Sequence, residues 1–303
     1  AMASPREDAG EEERGPSELQ LALRNLMRRP PALLSFLFIL VVILWAVLPG
    51  LFSPLNPVVQ DIGLSLKPPG FVDGQGNVYY LGTDEQGRDV LSRVIWGARV
   101  SLIVGVCAVF VSGLVGVTLG LIAGYFGGTA DVVISRLIDS LLSIPFILIA
   151  MTVVAILGPS LQNVVIAVSV RTWIVYARVI RGSVMSMKEG EFVTAARATG
   201  CWTPRILFRH IAPNVVSTAI VIGTLYLGRM IIIEASLSFL GMGVPPPTPT
   251  WGGMISDGRE FLESAWWLAL FPGFALMLTV LSVNLLGDWI RDVLDPQLKR
   301  LAG

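Results

Sequence analysis

Long apolar stretches, separated by polar segments, dominate the chain. About six of them have the roughly 20 residues that a helix needs to cross the hydrocarbon core of a bilayer. These predicted spans cover about residues 33–52, 100–125, 132–157, 161–180, 215–241 and 265–286. Pro145 interrupts the third span, and neighbouring helices can accommodate such a break in a membrane protein. The pattern predicts an all-α membrane protein with about six transmembrane helices.

Composition supports this class and argues against several others. Of the 303 residues 53% are hydrophobic and only 15% are charged, against about 25% charged in an ordinary soluble domain. The formal net charge of zero gives no support for a nucleic-acid partner. Cys107, Cys201 and the single histidine, His210, form neither a metal-ligand cluster nor a catalytic constellation. No phosphate-binding G-x-x-x-x-G-K-[ST] motif occurs, so any ATP chemistry must belong to another chain.

The apolar pattern divides the chain into four predicted regions. A cytosolic tail and an amphipathic segment, rich in arginine and leucine, occupy residues 1–32. The first transmembrane helix and an external loop take 33–98, the core membrane domain 99–290, and a cytosolic tail 291–303. Lys and Arg are concentrated in the segments that share a side with the N-terminus, which predicts that both termini are cytoplasmic.

A stripe of small residues marks the second span. They recur at every fourth position as Ala108, Ser112, Gly116, Gly120 and Gly124. Small side chains let two helices approach closely in lipid, where packing replaces the hydrophobic effect as the driving force. The stripe therefore predicts a helix-packing face, whose partner is either within this chain or in another subunit.

A polar segment on the cytoplasmic side, residues 191–200, reads EFVTAARATG. Phe192, Ala195, Ala196 and Thr199 have helical spacing and form one small, mildly apolar stripe. Gly200 can adopt the left-handed conformation that ends helices. Thr203 and Pro204 then suit the N-cap and first turn of a second helix. We predict a helix, a turn and a helix facing the cytosol.

Ionisable residues within the spans are costly and usually face a partner or a watery path. Arg171 lies in the fourth span, and Arg229 and Glu234 lie in the fifth. We hypothesise that Arg171 and Glu234, at similar depths on antiparallel neighbours, form an ion pair, which is either structural or part of a translocation path. Arg136 and Asp139 are expected to form a local pair on the third span.

Several motifs resemble one family. Thr194–Ala196, Gly200 and the I-x-P of Ile211–Pro213 are similar to the EAA motif of bacterial ABC-importer permeases. Further segments resemble the second permease subunit of dipeptide and oligopeptide importers; they read GTDEQGRDVLSRVIWGARVSL, GYFGG, ASLSFLGMG, PPPTPTWG and NLLGDWIRDVLDP. The resemblance extends from about Arg24 onward. Thr194 replaces the glutamate of the motif, so no salt bridge of that glutamate carries over.

This resemblance implies a type I ABC importer transmembrane domain in a bacterial inner membrane, forming half of the path for short peptides or related small solutes. The implied partners are membrane lipid, a homologous second permease subunit, an extracytoplasmic solute-binding protein, and P-loop ATPase subunits that bind ATP and Mg; no cofactor is implied in this chain. The implied coupling residues, which would contact the ATPase, are Glu191, Phe192, Thr194, Ala195, Ala196, Arg197 and Gly200.

Two questions stay open at this level. Asp84, Arg88 and Asp89, in the external GTDEQGRD segment, are candidates for docking the binding protein, but a self-contained folded loop explains them equally well. A secondary transporter or a non-transporting membrane scaffold are the alternative functions, and the transported solute is not defined by the sequence.

Overall fold

The computed structural model describes residues 26–27 and 29–294, so most of the predicted N-terminal tail and residues 295–303 lie outside it. The helices are α1 (Pro30–Val47), α2 (Pro49–Phe52), α3 (Val90–Phe126), α4 (Gly128–Leu142), α5 (Phe146–Leu157), α6 (Leu161–Lys188), α7 (Glu191–Ala198), α8 (Thr203–Phe239), α9 (Trp251–Gly258) and α10 (Trp267–Leu294). A π-helical segment, Ile206–Ile211, lies within α8. The loop before α3 carries a hairpin of β1 (Phe71–Val72) and β2 (Val78–Tyr79).

The predicted membrane spans are confirmed. Within the described residues, α1, α3, α6, α8 and α10 are each long and apolar enough to cross a bilayer. Helices α4 and α5 qualify only together, as one span bent by 91°. The break at Pro145 is thus sharper than predicted, because this proline is extended and ends the helical path before α5 begins.

Helix α3 begins at Val90 rather than near Val100, because Asp89 caps it. The Asp89 carboxylate accepts hydrogen bonds from the Ser92 backbone N–H (2.8 Å) and the Ser92 hydroxyl (2.5 Å). The sequence prediction missed residues 90–99 of this helix because Arg93 and Arg99 interrupt the apolar pattern there. The predicted boundary between residues 98 and 99 therefore falls inside α3.

The small-residue stripe packs within the chain. All five of its residues are buried, and α3 lies along α6 over much of its length. A Cβ atom at Gly120 would lie 2.8 Å from the Ala177 carbonyl oxygen and 2.9 Å from the Ile180 Cβ. A Cβ at Gly124 would meet the Arg181 carbonyl oxygen at 2.8 Å. Of the two partners left open by the sequence, the structure selects the intramolecular one.

The helical bundle has two opposite ends, which the connecting segments identify. Arg29, before α1, pairs with Asp292 in the last turn of α10 at 2.5 Å, so the described chain begins and ends on one side, as an even number of spans requires. Helix α7, which connects α6 to α8, lies on this side, which we call the α7 end. The segment between α2 and α3 and the segment around α9 lie at the opposite side, which we call the loop end.

Candidate functional site

Helix α7 ends as its sequence predicts. Gly200 has a φ of +78°, the left-handed region that favours glycine. The Cys201 N–H donates to the Ala196 carbonyl and the Gly200 N–H to the Arg197 carbonyl, both at 3.0 Å, which closes the last helical turn. Helix α8 follows directly, with Trp202 rather than Thr203 at its N-cap position. The predicted helix, turn and helix are confirmed, and the cap prediction is wrong by one residue.

One face of α7 anchors it to the membrane bundle. Val193 is fully buried and Ala196 is 8% exposed, in a cluster that includes Ile206 and Ile211 of α8. The residues of the predicted stripe therefore lie on two different faces of α7, because Ala196 points inward whereas its neighbour Ala195 is exposed. The sequence prediction missed Val193, which the helical spacing to Ala196 would have identified.

The opposite face of α7 is uncovered. Phe192, Ala195 and Thr199, which we call the outward face, are exposed, and the Phe192 side chain retains 47% of its accessible surface. Trp202 and Phe208 lie next to α7 and are 68% and 70% exposed. Exposed large apolar side chains at the α7 end are typical of a surface that membrane lipid or another protein covers.

The polar residues of α7 make short-range contacts. The Thr194 hydroxyl donates to the Gly190 carbonyl oxygen at 3.2 Å, so at this position the side chain closes onto its own helix. The Arg197 guanidinium lies 5.8 Å from the centre of the Tyr125 ring at the end of α3. Glu191 is exposed in the first turn, where a negative charge suits the helix dipole.

The hypothesised pair of Arg171 and Glu234 is not formed. Glu234 is completely buried, and its two carboxylate oxygens accept hydrogen bonds from Ser101 of α3 (3.0 Å) and Ser238 (2.8 Å). Arg171 instead lines a cavity together with Arg229. The prediction is wrong about the direction in which the Glu234 side chain points, because this side chain faces α3. Helices that are apolar on all sides give no periodicity from which such a direction can be inferred.

The charged residues predicted to dock the binding protein are buried within the loop that contains them. Asp84, Arg88 and Asp89 are each 5% exposed or less. Arg88 Nε donates to Asp84 at 2.6 Å, and Arg93 Nε approaches the same carboxylate at 3.3 Å. The geometry therefore supports the self-contained folded loop, since side chains occupied in this way present almost no surface to a binding protein. The spacing alone fitted both interpretations.

Burial perturbs the acidic groups around this loop. It raises the pKa of the Glu85, Asp89 and Asp257 carboxyls above their usual values. Two indole N–H groups join the parts of the loop end to each other. Trp267, at the start of α10, donates to the Thr83 carbonyl of the loop at 3.2 Å, and Trp251 of α9 donates to the Val94 carbonyl of α3 at 2.9 Å. The loop end is thus bonded directly to the helices of the bundle.

A further predicted contact is replaced by a different one. Asp139 pairs with Arg178 of α6 at 3.2 Å instead of with Arg136 on its own helix. Arg181, also on α6, forms a two-point contact with Asp131 at the start of α4. Both pairs tie the bent span to α6 near the α7 end.

Comparisons with known proteins give the family. Residues 116–300 match the model described as binding-protein-dependent transport system inner membrane component. Residues 17–69 match the N-terminal TM domain of oligopeptide transport permease C.

Named relatives cover most of the chain. The di/tripeptide transport system permease protein of Pseudomonas aeruginosa is 41% identical over 95% of both chains. The dipeptide transport system permease protein of Alkalihalophilus pseudofirmus is 45% identical over 86% of this chain and 85% of its own. The glutathione transport system permease protein of Pectobacterium atrosepticum is 45% identical over 75% of each. The chain therefore belongs to the family of binding-protein-dependent transport system inner membrane components, as a multi-pass permease subunit of an ABC importer.

Proposed function

We propose that this permease forms half of the path by which an ATP-driven importer takes up short peptides. The observation that carries the proposal is identity above 40%, along most of the chain, to permeases named for di- and tripeptide transport. The relative named for glutathione, a peptide-like solute, fits the same chemical class. A secondary transporter or a scaffold is disfavoured by this family membership.

The proposed contact with the ATPase subunits is the outward face of α7. Its exposed Phe192 and its small Ala195 suit a shallow groove in a partner, with the aromatic ring as the anchoring group. Thr194 bonds its own helix and has no negative charge, so shape and apolar contact dominate this interface rather than a salt bridge. ATP and Mg would be bound by those partner subunits.

The α7 end then faces the cytosol, so both termini are cytoplasmic. The distribution of Lys and Arg supports this orientation. The loop end faces outward, where a solute-binding protein would deliver the peptide, and a homologous second permease would complete the path. Closure of the ATPase subunits on ATP would push α7 as a rigid body and switch the bundle between inward-open and outward-open states.

Reconstitution tests the proposal. The permease, its second permease, the ATPases and the binding protein in proteoliposomes should import a labelled dipeptide only with ATP. Phe192→Asp should abolish co-purification with the ATPase and uptake, whereas Ser186→Asp, which adds the same charge at an exposed position outside α7, should leave both intact. Uptake by the Phe192→Asp transporter at the normal rate would contradict the α7 contact, and uptake without ATP would contradict the proposed function.

A further inference from the structure

A cavity of about 140 Å³ opens on the side of the bundle where α5, α6 and α8 meet. Arg171 of α6 and Arg229 of α8 both line it, and apolar groups such as Phe146, Val175 and Ile233 make up much of the remaining wall. The Arg229 guanidinium lies 5.6 Å from the centre of the Tyr226 ring, which also lines the cavity.

Both arginines lie at a similar distance from the loop end, well inside the predicted membrane spans. Arg171 is ten residues from the first residue of α6, and Arg229 is ten residues from the last residue of α8. At a rise of 1.5 Å per residue, each lies about 15 Å from the loop end of its helix, half of the ~30 Å hydrocarbon thickness. The Thr172 hydroxyl meets the Met230 sulfur at 3.3 Å, which confirms that the two helices are level here.

Neither arginine has an anionic partner within residues 26–27 and 29–294. The ion pairs found there involve other residues, and Glu234, the nearest acid along α8, is occupied by Ser101 and Ser238. Arg229 is exposed on the surface of the single chain. A guanidinium in contact with lipid tails at this depth is strongly unfavourable, so this face borders protein or water.

We propose that Arg171 and Arg229 form a subsite of the translocation path that binds the carboxylate of the transported peptide. The inference rests on the proposed function, since it assigns the substrate group that this cavity receives. A planar guanidinium fork matches a carboxylate with two parallel hydrogen bonds, and two cations in a low-dielectric wall create a field that attracts an anion.

The C-terminal carboxylate is the anionic group that all unmodified peptides share, whatever their side chains. Recognition of this group suits a path that must accept many sequences. Apart from Thr172 and Tyr226, the rest of the cavity wall is apolar, as at Phe146 and Ile233, and carries no further charge that would select one side chain over another.

Cysteine protection in the assembled transporter tests the subsite directly. With Cys107 and Cys201 replaced by serine, Val175→Cys should react with a charged, water-soluble thiol reagent, because it lines the cavity. A free dipeptide at millimolar concentration should slow this labelling, whereas the same dipeptide amidated at its C-terminus should not. The double variant Arg171→Gln, Arg229→Gln should lose the protection. Ile233→Cys provides a second labelling position if the first disturbs folding.

Three outcomes would overturn the inference: no labelling at either position in any nucleotide state, equal protection by acid and amide, or protection that persists in the double glutamine variant. Arg99→Gln, an exposed arginine of α3 that lines none of this cavity, is the matched control and should retain protection. The double lysine variant keeps both cations and should retain part of it.

Uptake measurements distinguish a failure of the carboxylate subsite from a failure of the proposed function on which it rests. Because the double glutamine variant cannot form charge-assisted hydrogen bonds to the carboxylate, its dipeptide uptake should fall roughly tenfold or more, with ATPase stimulation by the binding protein preserved. If the unaltered transporter imports no peptide, the proposed function fails. If it imports peptide and the double glutamine variant does so at the same rate, only the carboxylate subsite fails.

Discussion

Two adjacent alanines in α7 allow the roles of its two faces to be separated by one chemical change. Ala195 lies on the outward face, whereas Ala196 is 8% exposed and packs within the cluster that contains Val193 and Ile211. Replacing each in turn by leucine adds the same three carbon atoms to opposite environments. We expect Ala196→Leu to destabilise the permease itself and Ala195→Leu to weaken only its association with the ATPase.

The magnitudes follow from packing. Extra methylene groups in a well-packed core typically cost about 1–3 kcal/mol, which is the expected loss of stability for Ala196→Leu. A substitution on an exposed surface usually changes stability by no more than about 0.5 kcal/mol, which applies to Ala195→Leu in the isolated permease. If the outward face is closely covered in the complex, the same overpacking occurs there and weakens association roughly 5- to 150-fold.

Two measurements distinguish the faces. Thermal unfolding of the purified permease in detergent reports the first effect, and titration with the ATPase subunit, followed by dipeptide uptake, reports the second. Ala195→Ser, which is small, is the control and should behave as the unaltered chain. The reasoning is refuted if Ala195→Leu lowers the melting temperature as much as Ala196→Leu, or if it leaves association and uptake unchanged.

Three further predictions concern the rest of the bundle. Gly120→Leu should prevent α3 from packing on α6 and reduce the yield of folded permease, whereas Gly182→Leu, at an open position, should not. Glu234→Leu should lower thermal stability more than Glu234→Gln, because only leucine leaves two buried serine hydroxyls without an acceptor, at about 1–3 kcal/mol each. Because the pKa values of Glu85, Asp89 and Asp257 are raised at the folded loop end, their stabilising contribution is complete below about pH 4 and is lost as the pH rises through those raised values. The melting temperature of the permease should depend on pH accordingly, and Asp89→Asn should remove part of that dependence.

Hydropathy and residue spacing predicted the features that depend only on the local order of residues along the chain. Span number follows from the length of apolar runs, and the burial of the stripe from Ala108 to Gly124 follows from a four-residue repeat of small side chains. The end of α7 at Gly200 follows from the backbone freedom of glycine. Each of these features has a local physical cause that can be seen in the sequence alone.

Direction around a helix and the choice between nearby partners were not predictable in the same way. The span that holds Glu234 is apolar on nearly all sides, so its sequence has no helical periodicity to indicate that this residue faces α3. Arg171 lies on a helix with other polar residues, and the sequence does not show which neighbouring helices complete the cavity that it lines. Asp84 and Arg88, four residues apart, have the spacing of an internal pair and also the charge of a docking surface. Only the fold of residues 53–89 decides between these two roles.

The connectivity of the chain links the proposed ATPase contact to the arginine cavity. Helix α7 begins just after α6 ends at Lys188, and α8 begins at Thr203 just after α7 ends, so α7 is the short link between the two helices that carry Arg171 and Arg229. The buried Val193 fixes α7 against α8 by apolar packing, so a push on the outward face is transmitted to the bundle rather than absorbed by a loose loop. Interfaces of this packed kind shift between discrete arrangements, and the two arginines would then approach or separate as α6 and α8 move. A carboxylate held between them would be bound in one arrangement and released in the other, which is what import requires of a subsite midway across the membrane.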